Sequence, residues 1–284
     1  MLAVNLFFGM NYALSKDLMD GTMTAVCLNA WRFIIGGGFF WMLSPLNREN
    51  VHPKDLLILL AGAVIGLLLN QISFMQGLAR TSPLDSSIIS TSVPILTMVL
   101  SAIFLRQPAG WVKILVVVIV ASGAIFLVYT SQTDVTGQSS LIGNLLCLLS
   151  CLSYATFLII TRRVAQRYSP VTLMKWMFLF AVVMYQPFTY KELLATSFSR
   201  FEQSDWFSWT FAMVGATILP YLLMPIGQKQ LRPTTLAMYN YVQPIVAALL
   251  AAYLGQGSYT VTKGIAAALV FLGVYLVTRS TSRA

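Results

Sequence analysis

Ten stretches of apolar residues, each close to twenty long, follow one another along this chain with mostly short polar connections between them. They run approximately over 2–19, 24–43, 55–79, 85–104, 111–130, 141–163, 170–189, 206–228, 234–254 and 259–279. A hydrocarbon layer about 30 Å thick is crossed by a helix of roughly 20 residues, so each stretch has the length of one span. The composition agrees: 57% of residues are hydrophobic and 10% charged, where a soluble domain carries about 25% charged residues. The expected class is an all-α, polytopic membrane protein of ten transmembrane helices. Met1 to Asp20 reads as the first of them and not as a cleaved signal, because no basic segment precedes the apolar run and Lys16 comes late.

The formal net charge of +9 would suggest nucleic acid in a soluble protein, but here its placement carries the information. Basic loops stay on the cytoplasmic side of a membrane. With the N-terminus inside, Arg48, Lys54, Arg106, Lys113, Arg162, Arg163, Arg167, Lys229, Arg232, Arg279 and Arg283 fall on that side. Arg80, Lys191, Arg200 and Lys263 fall on the other. The bias predicts cytoplasmic N- and C-termini, an even number of spans and a multi-pass protein of the inner (plasma) membrane, with the lipid bilayer and no nucleic acid as its surroundings.

A duplication lies beneath the spans. Gly77 to Thr130, moved forward by 150 positions without a gap, lies on Gly227 to Ser280. Gly77/Gly227, Pro83/Pro233, Pro94/Pro244, Ile95/Ile245, Leu100/Leu250, Ala102/Ala252, Lys113/Lys263, Val120/Val270 and Gly123/Gly273 coincide. Five of these nine are Pro, Gly or Lys, which an apolar composition does not supply by chance. The copies begin five spans apart, an odd number, so the two halves are expected to be inverted, as alternating access requires. Pro94 and Pro244 each fall near the middle of a span, where a proline frees a backbone carbonyl and kinks the helix. A packing kink and a gating element beside a polar cavity are both open for them. Pro187, Pro220 and Pro225 add further breaks.

Catalytic constellations are absent from the pattern. One histidine, His52 in a loop, no buried pair of carboxylates and no Gly-rich phosphate cradle leave an enzyme without its groups. Cys27, Cys147 and Cys151 form neither a disulfide framework nor a zinc set, and packing is their plain role. No metal and no cofactor are expected.

Polar residues deep in the spans are the candidates for solute contact. Arg32 lies some eight residues into the second stretch, where an unpaired cation costs at least about 2.5 kcal/mol. A counter-charge for a solute carboxylate, a gate, or a structural pair with Asp17 or Asp20 all answer that cost. Lys16 with Asp17 reads as an interfacial pair, and Lys175 as a side chain that snorkels to the inner surface. Asn11, Asn70, Gln71, Ser90, Thr91, Ser153, Tyr154, Tyr239 and Asn240 share a comparable depth, as interhelical links or as donors and acceptors for a solute. Tyr154, Tyr221, Tyr239 and Tyr241 offer aromatic walls. Asp17, Asp55 and Asp85 sit at helix ends, so no carboxylate relay is visible; facilitated export or exchange is expected, with a proton-linked cycle through Asp17 or Asp85 as the alternative. Gly62 with Gly66, Ala247 with Ala251, and Gly36 to Gly38 allow close helix approach, inside one chain or in a homodimer.

Three motifs in order resemble a known family. Phe8-Gly9-Met10-Asn11-Tyr12-Ala13-Leu14-Ser15-Lys16, then Asn29-Ala30-Trp31-Arg32-Phe33, then Gly77 to Leu105 with Pro94 inside, are similar to the opening helices of the drug/metabolite transporter superfamily, specifically its ten-helix EamA branch. The resemblance covers the whole chain. It implies two inverted five-helix repeats, residues 1–130 and 141–280, around a central cavity lined by spans 1, 3, 4, 6, 8 and 9. It also implies export or exchange of small polar metabolites, amino acids foremost, by alternating access. Many relatives end spans 4 and 9 in Leu-Gly-Glu; this chain has Leu105-Arg106-Gln107 and Leu254-Gly255-Gln256, which removes whatever those carboxylates couple or gate. The alternatives are a sugar, nucleotide-sugar or organic-phosphate exchanger, which would want two or more deep cations, and a non-transporting membrane receptor or scaffold, for which the short loops leave no soluble domain.

Overall fold

A computed structural model describes residues 1–46, 49–104 and 140–255. The stretches at 111–130 and 259–279, and the glutamines Gln107 and Gln256, lie outside the described residues, as do the charges Arg48, Arg106, Lys113, Lys263, Arg279 and Arg283. The described residues form helices and connecting turns, with no strand among them. Eight long rods follow in chain order: α1 Leu2–Gly21, α2 Ala25–Leu43, α3 Pro53–Leu78, α4 Pro83–Phe104, α5 Leu141–Ile160, α6 Pro170–Leu194, α7 Gln203–Gln230 and α8 Pro233–Tyr253. The seven from α2 to α8 are long and apolar enough to cross a membrane. This is a polytopic, all-helical membrane protein.

Local chemistry sets where the rods begin. Thr24, Ser82, Ser140 and Ser169 each accept a hydrogen bond from a backbone N–H of the first turn, at 3.1, 3.1, 3.0 and 3.3 Å, which satisfies one of the donors a helix start leaves free. Pro53, Pro83, Pro170 and Pro233 stand in first turns, where a missing N–H costs nothing. His52 caps α3, its Nδ1 accepting from the Lys54 N–H.

Four rods are interrupted inside the membrane. In α3 a π-helical segment, Ala63–Leu69, joins Pro53–Gly62 to Asn70–Leu78. In α7 the segment Phe211–Ile218 does the same between Gln203–Thr210 and Leu219–Gln230. The two rods start at Pro53 and Gln203, separated by the same offset as the sequence match. A wide turn leaves carbonyls without helical partners, and neighbours take them: Ser153 donates to Ile65 O, and Arg32 to Ala216 O. Pro187 and Pro225 do not make the expected breaks, each standing inside a continuous helix, Pro170–Leu194 and Leu219–Gln230, whereas Pro94 and Pro244 mark more than a kink. α4 stops at Ser90, turns through Thr91 and Ser92, and restarts at Val93. α8 stops at Met238, passes through a 3-10 turn, Tyr239–Val242, and restarts at Gln243. Pro94 and Pro244 therefore occupy first turns of new helices, where their lack of an N–H is tolerated.

The rods pack pairwise: α2 on α6, the second half of α3 on α5, α1 on α8, and α4 on both α5 and α8. Small residues permit the closest approaches, and they face the chain's own interior. A Cβ on Gly36 would lie 2.5 Å from Phe178 Cε1, one on Gly62 2.9 Å from Thr161 Cγ2, and one on Gly66 2.2 Å from Phe157 Cδ2. Phe33, Phe40, Phe178 and Tyr185 fill the space between α2 and α6. Large apolar side chains such as Met42, Phe188 and Leu249 stand exposed, as a lipid-facing surface requires.

Charges at the rod ends are paired differently from expectation. Lys16 reaches Asp20 at 3.0 Å, one turn on, and also donates to Ala79 O. Lys175 does not snorkel: it is 8% exposed, donates to Ser44 Oγ at 2.9 Å and lies 5.7 and 5.9 Å from the ring centroids of Trp41 and Trp176. Aromatic faces and a hydroxyl replace water around its ammonium. Two clamps join the α2–α3 and α5–α6 connections. Asp55 accepts from Arg167 at 3.1 Å and Tyr168 at 2.8 Å, and Glu49 accepts from the Ser169 N–H at 2.9 Å and its hydroxyl at 3.0 Å.

Candidate functional site

Where the breaks of α4 and α8 face α1, α2, α3, α5 and α7, the rods leave a cavity with an empty volume of about 620 Å³, counted together with its open mouth. Asn11, Arg32, Asn70, Gln71, Ser90, Tyr154, Tyr221 and Asn240 stand on its wall. Thr91 and Tyr239 do not: Thr91 is buried with its hydroxyl turned back to Ile88 O, and Tyr239 lies in the 3-10 turn beside the wall.

Arg32 is the centre of the polar wall. It is 2% exposed and donates from Nε to Thr217 Oγ1 at 2.7 Å, from Nη1 to Gln71 Oε1 at 2.8 Å and from Nη2 to Ala216 O at 3.0 Å. Two features of α7 prepare those acceptors. Pro220 has no N–H for the carbonyl four residues before it, that of Ala216, and Thr217 spends its own proton on Ala212 O, 2.8 Å away, leaving a lone pair for the guanidinium. Among the described residues Arg32 bonds to neutral oxygens alone. The structural pair with Asp17 or Asp20 is not formed, since the Arg32 guanidinium is turned towards α3 and α7 and Asp20 pairs with Lys16.

Gln71 extends the network. With its oxygen held by Arg32, its amide nitrogen donates to Asn70 Oδ1 at 2.9 Å and to Tyr221 Oη at 3.0 Å. Asn70 in turn donates to the backbone oxygen and the hydroxyl of Ser150, both at 2.9 Å. Gln71 and Tyr221 lie just upstream of the two matched segments at the same offset of 150 positions, and they touch on the cavity wall. The network thus links α2, α3, α5 and α7.

A second cluster comes from residues the sequence reading passed over. Tyr12 donates to Gln243 Oε1 at 3.1 Å, and Gln243 donates to Asn5 Oδ1 at 2.7 Å, which ties α1 to the restart of α8. Tyr12 and Gln243 both stand on the wall, with Phe8 and Phe74 as apolar panels. Their adjacency to Asn11 and Pro244 was the available signal, but chain neighbours on a helix point in different directions. Cys147 and Cys151 also reach the wall. Both belong to the buried core, as packing residues do, and Cys147 Sγ lies 3.2 Å from Ser86 Oγ. Tyr154 turns its hydroxyl to Met224 Sδ at 3.1 Å. Asn11 accepts from Ser15 at 2.8 Å. Asn240, 2% exposed, keeps a buried Oδ1 with no hydrogen-bond partner.

The arrangement is a polar pocket inside lipid, with one cation, many neutral donors and acceptors, and no carboxylate on the wall among the described residues. No group of three or more His, Cys, Asp or Glu side chains among them could hold a metal ion.

Comparison with known proteins gives a consistent picture. The sequence matches the EamA-like transporter family over residues 1–129 and 141–279. An uncharacterized transporter of Bacillus subtilis (strain 168), YetK, is 22% identical over 250 residues, covering 86% of this chain and 76% of its own. An uncharacterized transporter of Archaeoglobus fulgidus is 21% identical over 257 residues, with 90% of each chain covered. A WAT1-related protein of Arabidopsis thaliana is 22% identical over 304 residues, covering 95% of this chain and 75% of its own. One solved crystal structure is similar with a TM-score of 0.66 at 17% identity, covering 99% of this chain and 98% of its own, a likeness of fold.

Proposed function

The chain belongs to the EamA-like transporter family, and we propose that it exports or exchanges small polar metabolites, amino acids foremost, by alternating access between two inverted halves. The observation that carries this reading is the cavity wall itself, to which rods from both sequence copies contribute and across which Gln71 meets Tyr221. Halves that share one plan and meet at one pocket can exchange outward and inward arrangements. Residues 1–130 and 141–280 are the two moving units, and the breaks at Pro94 and Pro244 are their hinges beside the solute.

The chemistry favours a compact polar solute. Arg32 offers a guanidinium, the surrounding amides and hydroxyls offer neutral partners, and Phe8, Phe74 and Tyr221 offer apolar panels. A phosphate or nucleotide-sugar exchanger would gather several cations, and Arg32 is the one cation on the wall among the described residues. With no wall carboxylate there to carry a proton, the solute's own gradient drives the cycle.

Uptake into proteoliposomes preloaded with unlabelled amino acids and metabolites tests the proposal, each labelled solute being tried with and without an imposed pH gradient. Counterflow indifferent to pH is expected. Flux that requires the gradient would replace facilitated exchange with proton coupling, and absence of flux for every solute in folded protein would favour a non-transporting role.

A further inference from the structure

Lys175 carries a charge that the cavity does not use and that no carboxylate answers among the described residues. It stands five residues after Pro170 on α6, yet its ammonium meets Ser44, the residue that closes α2. The charge therefore lies at the end of the spans, at the depth of lipid headgroups, and the bias of basic residues makes that end the cytoplasmic one. An ammonium has three donors. Ser44 Oγ takes one at 2.9 Å, and the rings of Trp41 and Trp176, at 5.7 and 5.9 Å, stand at the outer limit of a cation–π contact, about 6 Å.

The seam around this ammonium opens onto the lipid-facing surface. Trp41 is 41% exposed and Met42 81% exposed, while Ser44 and Trp176 are half-buried. Trp41 is pinned by its indole N–H on the Lys175 carbonyl at 3.2 Å, with its ring centroid 5.8 Å from that of Trp176, so two indoles frame the charge at the level that tryptophan favours in a bilayer. Two turns further along α6, on the face of Trp176, Val183 and Met184 are exposed and apolar. Lys175 itself is mostly covered, but one hydrogen bond and a flexible four-carbon stem leave its ammonium free to turn outward between Ser44 and Trp41.

We propose that the seam between α2 and α6 binds an anionic phospholipid, its phosphate on Lys175 and Ser44 and its acyl chains along the apolar strip of α6. A phosphate oxygen supplies the missing opposite charge through a charge-assisted hydrogen bond. A zwitterionic headgroup brings its own cation beside the phosphate and gains less. The occupant is a lipid and not a dissolved phosphate, because the charge sits at one end of an apolar strip that an ion alone leaves uncovered. Basic pockets between spans at this level take anionic headgroups. Bound there, the lipid fastens one helix before the second sequence copy to one within the later half, whatever solute the cavity carries.

The test uses the full-length protein in a nonionic detergent, supplied with phosphatidylglycerol or phosphatidylcholine of the same acyl chains, with bound lipid counted by native mass spectrometry. Wild type is expected to retain phosphatidylglycerol about ten-fold better, the worth of one charge-assisted bond. Lys175→Gln should lose most of that preference and Lys175→Arg should keep it. Arg232→Gln, which removes an exposed cation at the start of α8, should leave it unchanged. Equal losses in Lys175→Gln and Arg232→Gln would reduce the effect to diffuse attraction and overturn the site, as would equal retention of the two lipids by wild type. A thermal melt of wild type serves if the glutamine variant does not fold: phosphatidylglycerol is expected to raise the melting temperature, with phosphatidylcholine and inorganic phosphate both falling short. Inorganic phosphate matching the lipid would replace the lipid site with an ion site, and phosphatidylcholine matching it would remove the role of charge.

Discussion

Gln71 does four things at once: it accepts from Arg32, donates to Asn70 and Tyr221, and lends its backbone oxygen to Asn29 at 3.0 Å. Hydrogen bonds to a charged partner are worth about 1.5–3 kcal/mol, so Gln71→Ala is expected to lower flux at sub-saturating solute about ten-fold or more. Tyr221→Phe loses one neutral bond and keeps the edge contact with Phe178 at 5.2 Å, so its loss should be several-fold smaller. Initial rates across a solute titration check both, and equal losses would mean that the Tyr221 hydroxyl organises the wall as much as the Gln71 amide does. Outside the membrane, Glu49 offers a pH test. Burial alone would raise its carboxyl, but hydrogen bonds from Ser169 and Thr172 and the charge of Lys229 outweigh burial and hold it below the usual glutamate range. A depressed folded value contributes stability that is present above the unfolded value, near about 4.3, and is lost as pH falls through the folded one. Wild type is therefore expected to melt above Glu49→Gln in detergent at pH 7, with the gap closing as the pH drops below about 4.

At the scale of the helix, close approach and interruption matter more than hydrophobicity. A Cβ on Gly77 would lie 2.8 Å from the Gly143 carbonyl oxygen and 2.9 Å from the Cys147 nitrogen, backbone atoms that cannot turn aside. Gly77→Ala is expected to destabilise by about 1–3 kcal/mol, the usual cost of overpacking. Gly38→Ala meets nothing within 4 Å and should leave the melting temperature unchanged or raised. Thermal melts of the two variants side by side decide whether the α3–α5 contact is as tight as this geometry states. The same rods show what sequence could and could not tell. Pro94 and Pro244 marked the interruptions of α4 and α8, because a proline's missing N–H acts wherever it stands. Pro220 likewise stands just after Phe211–Ile218 and frees the Ala216 carbonyl, but no such signal marks Ala63–Leu69, and both π-helical turns depend on Ser153 and Arg32 arriving from other helices to take the freed carbonyls.

For the whole molecule, membrane orientation is a prediction that one experiment settles. A cysteine placed at Arg163 is expected to resist a membrane-impermeant maleimide in intact cells, and one placed at Ser199 to react, each in a background lacking Cys27, Cys147 and Cys151. The reverse pattern would invert the topology and, with it, the sense of export. Class, the spans among the described residues and the deep polar residues were legible in the chain because lipid imposes a length of about twenty residues and a heavy cost on buried charge, both of which act on sequence directly. The partners of those residues were not legible. That Arg32 would turn to Gln71, Thr217 and Ala216 rather than to Asp17 or Asp20, and that Tyr12 and Gln243 would join the wall while Thr91 and Tyr239 stood aside, was decided by how seven rods rotate about their axes when packed. Sequence states which residues need a partner inside the membrane; tertiary packing alone decides which partner each one meets, because rotation and register are properties of the contact between helices and not of either helix alone.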